Sequence, residues 1–420
     1  MANAREIAMK VIYSVEFENA YSNMALKKAL ANTELSKQDR ALVTTLAYGV
    51  LDKKITLDYV IGCFSRLKIK KISKFILIIL RMGIYQLMFM DKIPVSAAVN
   101  ESVRLARRYG HGASAGFVNG VLRNVSKAEI VYPTEKKEYL SIKYSFPIWL
   151  CEKWINDFGF EFTEKLLDAF SKEPKLNIRP NTLKTSAKEL AQSLNKAGVS
   201  AEIEEDYIVA EGFDIASDEL YRNGFYTIQD AAAMQTAKIL APNEGETVID
   251  MCAAPGGKTT HLAEIMNNKG RIYAFDVHEH KIELIRKNAE RLGITIIEAK
   301  LGDGCKKMTK YIQTADKVLC DVPCSGLGII RRKPEIKWNR EKDSDLPEIQ
   351  RKILDNGADY LKIGGEIVYS TCTIEKEENE AVTGGFLADN DNFEKVYEKT
   401  FYPHTDNTDG FYICKMKRVN

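Results

Sequence analysis

No two cysteines of this sequence are spaced CxxC, and its eight cysteines follow no regular interval. Neither a disulfide framework nor a thiolate metal site is therefore expected; reduced thiols in a cytoplasm are. Histidine is scarce, with five in all. The only close pair, His278 and His280, has no cysteine near it and reads as polar residues at a helix start, so no metal is expected. The first residues, MANAREIAMK, lack the apolar core of a secretory signal. Long apolar runs are missing too. The longest, Phe75–Met90, has 16 residues and contains Arg81, Gly83 and Gln86. That suits a buried core helix and excludes a membrane span. Internal repeats and low-complexity tracts are absent.

What is present is ordinary in bulk and uneven in place. Hydrophobic residues make up 45% and charged residues 28% of the 420 positions, enough for two or three domains, each with its own core. The net charge of +2 hides an asymmetry. Residues 1–135 hold 20 Lys and Arg against 11 Asp and Glu, a net +9, which leaves −7 for the remainder. A basic front half predicts a polyanionic partner. A merely solvated basic surface is the plainer reading of charge alone.

Residues 1–130 read as an all-helical bundle. Ile7, Val11, Ile12 and Val15 recur at helical spacing, as do the apolar residues of Asp39–Leu51. Pro94 marks a turn, and Ser96 is the expected N-cap of a helix ended by Gly110 and Gly112. Arg104, Arg107 and Arg108 stand at i, i+3 and i+4 on that helix and share a face. Arg123 lies on the next one, Ser114–Val125. Pro133 and Pro147 frame a connector. A β-α-β-β-β alternation follows, from LNIRPNTLK through a helix capped at Thr185 or Ser186 to FYTIQD, and predicts a small α+β unit within 131–230. From residue 231 to 420, short β-branched runs alternate with amphipathic helices. TVID, RIYAFDV, ITIIEAK, KVLCDV and GEIVYST are read as buried strands of a mainly parallel, doubly wound sheet. Such sheets bind ligands at the carboxyl ends of their strands.

Two sets of residues at those ends carry chemistry. In VIDMCAAPGGKTTHLAE, the small residues Ala253, Ala254, Gly256 and Gly257 let backbone approach a ligand, and the helix that follows offers free N–H groups. The stretch is neither GxGxxG nor a complete phosphate loop. Asp276 ends the next strand, where an acid is placed to hold ribose hydroxyls, and Asp303 follows the third strand. Loop and acids together fit a nucleoside cofactor; a tight turn is the bland explanation of the glycines. The second set is Asp321-Val322-Pro323-Cys324 and Thr371-Cys372, thiols at two strand ends. A thiolate that adds to C6 of a pyrimidine makes C5 nucleophilic toward an electrophilic methyl. A base must then remove the C5 proton so that the thiol can leave, and an acid at N3 assists the addition. Asp321 supplies the acid, and either cysteine could attack. Small buried thiols are the structural alternative.

DMCAAPGGKTTHLAE, CDVPCSGLGIIRRKPEIKW, LPEIQRKIL, GGEIVYSTCTIEKEENE and DGFYICKMK occur here in the order found in the RsmB (Fmu/Sun) family of 16S rRNA cytosine-5 methyltransferases, which the chain resembles over nearly its whole length. The resemblance implies a NusB-like RNA-binding domain at 1–130, a small RRM-like α+β connector at 131–230 and a Rossmann-like methyltransferase domain at 231–420. It implies S-adenosylmethionine as cofactor, held by Cys252, Ala253, Ala254, Pro255, Gly256, Gly257, Lys258, Asp276, Asp303 and Asp321. It also implies Cys372 as nucleophile, with Cys324 aiding product release. The expected substrate is cytosine 967 of small-subunit rRNA, with Arg104, Arg107, Arg108, Arg123, Arg331 and Arg332 on the RNA and the protein a monomer. Val322 stands where the family usually has alanine, and the residues after Asp276 depart locally; neither removes a chemical group. Two alternatives are methylation of another RNA such as tRNA, and a catalytically silent RNA-binding assembly or antitermination factor. Retention of Asp321, Cys324 and Cys372 together argues against the second.

Overall fold

The computed structural model describes residues 3–31, 33–211, 215, 218–338 and 345–420. The chain divides into two compact units: Met1–Ser171 with Lys333–Trp338, and Lys172–Arg332 with Asn339–Asn420.

The first unit is helical. Two of its helices begin at caps the sequence supplies: Asn3 accepts from the Arg5 amide ahead of Ala4–Phe17, and Ser36 from the Asp39 amide ahead of Lys37–Asp52. The long apolar run forms the helix Lys74–Phe89, apolar on most faces and buried over its middle turns. Its one interior charge is matched. Arg81 donates to both carboxylate oxygens of Asp58 at 2.7 Å and to Glu16 at 2.6 Å, which offsets the cost of burying the guanidinium. The basic helix runs Val95–Tyr109 with Pro94 at the N-cap position, not Ser96. Proline fixes φ there and has no N–H to satisfy, so the helix starts two residues earlier than the serine cap predicted. Ser114–Val125 forms as predicted. The segment Lys333–Trp338 completes this unit. Lys337 is fully buried; its ammonium donates to the Asp52 carboxylate and carbonyl, both at 2.8 Å, and sits 4.6 Å from the centre of the Phe146 ring.

In the second unit, β1 (Leu176–Pro180), β2 (Ser200–Glu204), β3 (Tyr207–Glu211) and β4 (Tyr226–Ile228) form an antiparallel sheet in the order β2-β3-β1-β4. The helix Ala187–Lys196 carries a capping box between Ser186 and Glu189. It packs Leu190 and Leu194 against Ile178, Ile208 and Tyr226. The α+β expectation for this stretch is met.

The larger sheet has seven strands: β5 (Thr247–Asp250), β6 (Arg271–Asp276), β7 (Ile297–Leu301), β8 (Ala315–Asp321), β9 (Leu361–Thr371), β10 (Phe393–Phe401) and β11 (Phe411–Arg418). Their order is β10-β11-β9-β8-β5-β6-β7. The five strands from β9 to the edge at β7 are parallel; β11 runs antiparallel to both β9 and β10. The sheet is thus mainly parallel, as predicted, with an antiparallel addition: β10 and β11 are the strands that reading lacked. Val318, Leu319 and Cys320 are completely buried, as expected of a central strand covered on both faces. Apolar layers lie on either side, one including Leu240, Leu262 and Leu292, the other Ile353, Leu354 and Phe386. Strand order reverses between β5 and β8, and the crevice at that point is where such sheets take ligands.

Arg179 of β1 ties the small sheet to the large one. It donates to both oxygens of Glu264 at 2.9 and 3.0 Å, to Thr260 Oγ1 at 3.1 Å and to the Gly257 carbonyl at 2.8 Å. Arg179 and Glu264 are both buried.

Candidate active site

Five strands end in a row of functional groups. Asp250 ends β5, Asp276 ends β6, Asp303 follows β7, Asp321 ends β8, and Cys372 comes directly after β9. The parallel register places Asp321 beside Ser370. Every candidate from the cofactor loop and the two thiol motifs therefore lies at the same edge of one sheet.

The loop after β5 turns through Gly256, whose φ of +103° is a left-handed value that favours glycine. The helix Gly257–Ile265 begins at the next residue, and a Cβ on Gly257 would meet nothing within 4 Å. Open space against free helix N–H groups is a cradle for a ligand. Asp276 is buried; one carboxylate oxygen accepts from the His278 amide at 3.0 Å and lies 3.7 Å from the Lys281 ammonium. His278 and His280 stand at the start of the helix Glu279–Leu292, as predicted. Asp303 accepts from the Cys305 amide at 3.0 Å and is 3.4 Å from Lys306. Strand-end carboxylates beside an open helix N-terminus fit the ribose and amine of S-adenosylmethionine. Asp250 has a different part. It is fully buried, and burial pushes its carboxyl up to about 7, against the hydrogen bond from Thr259 Oγ1 at 2.7 Å. It braces the loop from below.

The thiols face each other. Cys324 Sγ and Cys372 Sγ are 3.2 Å apart, and both residues are half-buried. The hydrogen bond to Cys372, together with burial, holds the Cys324 thiol well above its ordinary range. A protonated Cys324 can donate to the sulfur of Cys372, as a thiolate nucleophile requires. Lys258, expected on the cofactor, is paired within the protein: its ammonium is 2.7 Å from Asp321 Oδ2 and sits 5.0 Å from the centre of the Phe411 ring. Burial works against that charge, but Asp321 and, more weakly, Cys372 keep Lys258 protonated. Asp321 Oδ1 accepts from Ser370 Oγ at 2.9 Å. The site thus holds two thiols, a carboxylate and an ammonium in one cluster.

The strand ends are held by unusually close backbone. The Gly328 amide donates to the Cys372 carbonyl at 3.0 Å, and the Gly410 amide donates to the Gly328 carbonyl at 2.9 Å. A Cβ on Gly328 would fall 1.9 Å from the Gly410 oxygen and 2.8 Å from that of Cys372, so no larger residue fits without displacing the backbone at Gly410 and crowding that at Cys372. Periodicity gave no signal for this contact; only the glycines in SGLG and DGFY hinted at it.

Two arginines expected on the RNA have protein partners. Arg331 is nearly buried, with Nε 2.8 Å from Asp409, and Arg332 pairs with the same carboxylate and, at 3.1 Å, with Asp230. Both are consumed in fixing the loop after Cys324, which a count of basic residues cannot reveal. On the helical unit, Arg104 and Arg107 are exposed, the former 2.6 Å from Glu101. Arg108 is exposed but pairs at 2.6 Å with the buried Glu6, and Arg123 is exposed with Nε 3.0 Å from Asn119. Among the described residues no helix is long and apolar enough to cross a membrane.

Comparison with known proteins agrees with this geometry. Residues 237–417 match the family model described as 16S rRNA methyltransferase RsmB/F, residues 2–127 that of the NusB family, and residues 146–216 the ferredoxin-like domain of RsmF/B-like methyltransferases. A probable ribosomal RNA small subunit methyltransferase B of Bacillus subtilis is 38% identical, the match covering 99% of each chain. The solved structure of PH0851 is 27% identical with a TM-score of 0.81, covering 100% of this chain and 99% of that one. NSun6 from Pyrococcus horikoshii, solved with SFG, shares the fold at 23% identity and a TM-score of 0.58, over 69% of this chain and 98% of its own. The helical, ferredoxin-like and Rossmann-like parts are all accounted for, and the protein is an S-adenosylmethionine-dependent methyltransferase. With the thiol pair, the cofactor cradle and these matches in the same order along the sequence, the chain belongs to the 16S rRNA methyltransferase RsmB/F family.

Proposed function

We propose that this enzyme methylates C5 of cytosine 967 in small-subunit rRNA through a covalent bond between Cys372 and C6. The observation that carries the reading is the pair of thiols 3.2 Å apart beside the Lys258–Asp321 ion pair. Methylation at nitrogen or oxygen needs no thiol; methylation at C5 of a pyrimidine needs one to activate the ring and a group to help it leave. Bound S-adenosylmethionine supplies the electrophilic methyl. Cys372 adds to C6, and the Lys258–Asp321 ion pair supplies a proton toward N3 as charge develops there. After transfer a base takes the C5 proton, with Cys324 aiding the step; the electron pair left at C5 re-forms the C5–C6 double bond, and the Cys372–C6 bond breaks with its pair on sulfur, which returns Cys372 as thiolate. We assign residues 231–420 to the chemistry, 131–230 to the connector and 1–130 to RNA docking, with Cys252–Lys258, Asp276 and Asp303 on the cofactor.

Bisulfite sequencing of rRNA and tRNA from a strain lacking the protein tests the target. The expected result is an unmethylated cytosine 967 with tRNA unchanged; an intact 16S signal with a lost tRNA methyl would move the substrate to tRNA. Asp276→Ala is expected to weaken S-adenosylmethionine binding by on the order of 1.5–3 kcal/mol, the worth of hydrogen bonds to a charged group. An unchanged calorimetric titration would mean that the ribose lies elsewhere.

Arg104, Arg107 and Arg123 are proposed to meet rRNA phosphates, which position a nucleic acid without reading its sequence. Each phosphate neutralised adds roughly 0.7–0.9 to the slope of log affinity against log salt. Replacing these three by Gln, and leaving Arg108 to its Glu6 partner, should flatten the slope and raise the RNA KM. The rate on saturating RNA should stay near wild type. A wild-type slope would show that these arginines only solvate the bundle.

A further inference from the structure

Glu378 is buried, yet nothing in the chemistry above uses its carboxylate. One of its oxygens accepts from the Ser325 amide at 2.9 Å and from Gln350 Nε2 at 2.9 Å. The same Gln350 nitrogen donates to the Pro323 carbonyl at 3.0 Å. The residues on either side of Cys324 are therefore tied to one carboxylate. The next residue, Asn379, does the same for the other thiol. Its Oδ1 accepts from Thr371 Oγ1 at 2.6 Å, and its Nδ2 donates to the Thr373 carbonyl at 3.1 Å, on either side of Cys372. Ser325 Oγ and Thr373 Oγ1, each one residue past a cysteine, are 2.9 Å apart. A buried carboxylate is costly unless its bonds are made, and charge-assisted bonds hold geometry tightly.

We propose that Glu378 and Asn379 are positioning residues that set the spacing of the two thiols, Glu378 gripping the loop of Cys324 and Asn379 the loop of Cys372. Because they are adjacent in the chain, neither loop can shift without straining the other's grip. The two sulfurs must serve neighbouring atoms of one ring, and errors well under 1 Å matter for such steps. The proposal rests on the reading of Cys372 as nucleophile and Cys324 as the residue that releases product.

That division of labour gives each grip its own signature. Loosening Cys324 should stall release, so Glu378→Ala should accumulate an RNA–protein adduct that survives a denaturing gel, at least tenfold above wild type. Gln350→Met, which keeps the volume but removes both donated bonds, should trap a smaller amount. Loosening Cys372 should prevent addition, so Asn379→Ala should form no adduct and lose at least a hundredfold in methylation. All three should bind S-adenosylmethionine within threefold of wild type, which reports that the fold is kept. Cys324→Ala is run alongside as the benchmark. If it traps no adduct, the assignment of Cys324 is overturned and this proposal with it. If it traps one, but Glu378→Ala and Gln350→Met turn over normally, or lose activity without an adduct while still binding cofactor, the positioning role alone is overturned. Should Glu378→Ala fail to bind cofactor, Gln350→Met decides the matter by the same criterion.

Discussion

Cys372→Ala is expected to abolish methyl transfer, by about 10⁴-fold or more, while S-adenosylmethionine still binds with its wild-type affinity. Removing a covalent nucleophile closes the pathway outright. The cofactor cradle after β5 is built from other residues, so binding should survive. Cys324→Ala should behave quite differently: one methyl is transferred, and the RNA then stays attached. The contrast follows from the geometry. The 3.2 Å contact lets a protonated Cys324 support Cys372 before attack and act on the adduct afterwards. Single-turnover assays with labelled cofactor, read on denaturing gels, separate the two outcomes. An adduct with Cys372→Ala and none with Cys324→Ala would exchange the roles.

The second large effect is on stability. Arg179→Leu should destabilise the protein by about 3–5 kcal/mol, the cost of leaving one member of a buried ion pair alone. Glu264 would lose both of its guanidinium bonds, at 2.9 and 3.0 Å, in a place where burial already raises its carboxyl against the pull of Arg179. The Gly257 carbonyl would lose a 2.8 Å bond at the first residue of the cofactor helix. Chemical denaturation with and without Glu264→Gln measures the coupling. If the double variant is no more stable than Arg179→Leu alone, the stranded carboxylate is not the cause.

The parts legible in the sequence were those written in local pattern. The helix Ser114–Val125, the capping box at Ser186 and the strands β5, β6, β8 and β9 follow from periodicity and cap residues. So do the strand-end positions of Asp276, Asp321 and Cys372. What stayed hidden depends on partners far away in the chain. β11 carries the buried Tyr412, Ile413 and Cys414, but nothing local says that it pairs antiparallel with β9. Nothing near Arg331 and Arg332 in the sequence says that both pair with Asp409. Glu378 and Asn379 lie in a stretch quoted for its likeness to the family, and their grip on two loops needs Ser325, Gln350 and Thr371 in place.

The helical unit is not closed by its own stretch of chain. Lys337, which satisfies Asp52 and rests on Phe146, lies 166 positions beyond Ser171. At ordinary translation rates that piece leaves the ribosome on the order of ten to thirty seconds after the helices it completes. The front of the protein must wait, with Asp52 holding Lys53 but lacking its second cation, while β1 to β8 are made. Its maturation is therefore interleaved with that of the catalytic sheet rather than finished before it. A chain cut at Ser171 would be a bundle without its last stone, so the boundary that looks simplest on a linear map is a poor place to divide the molecule.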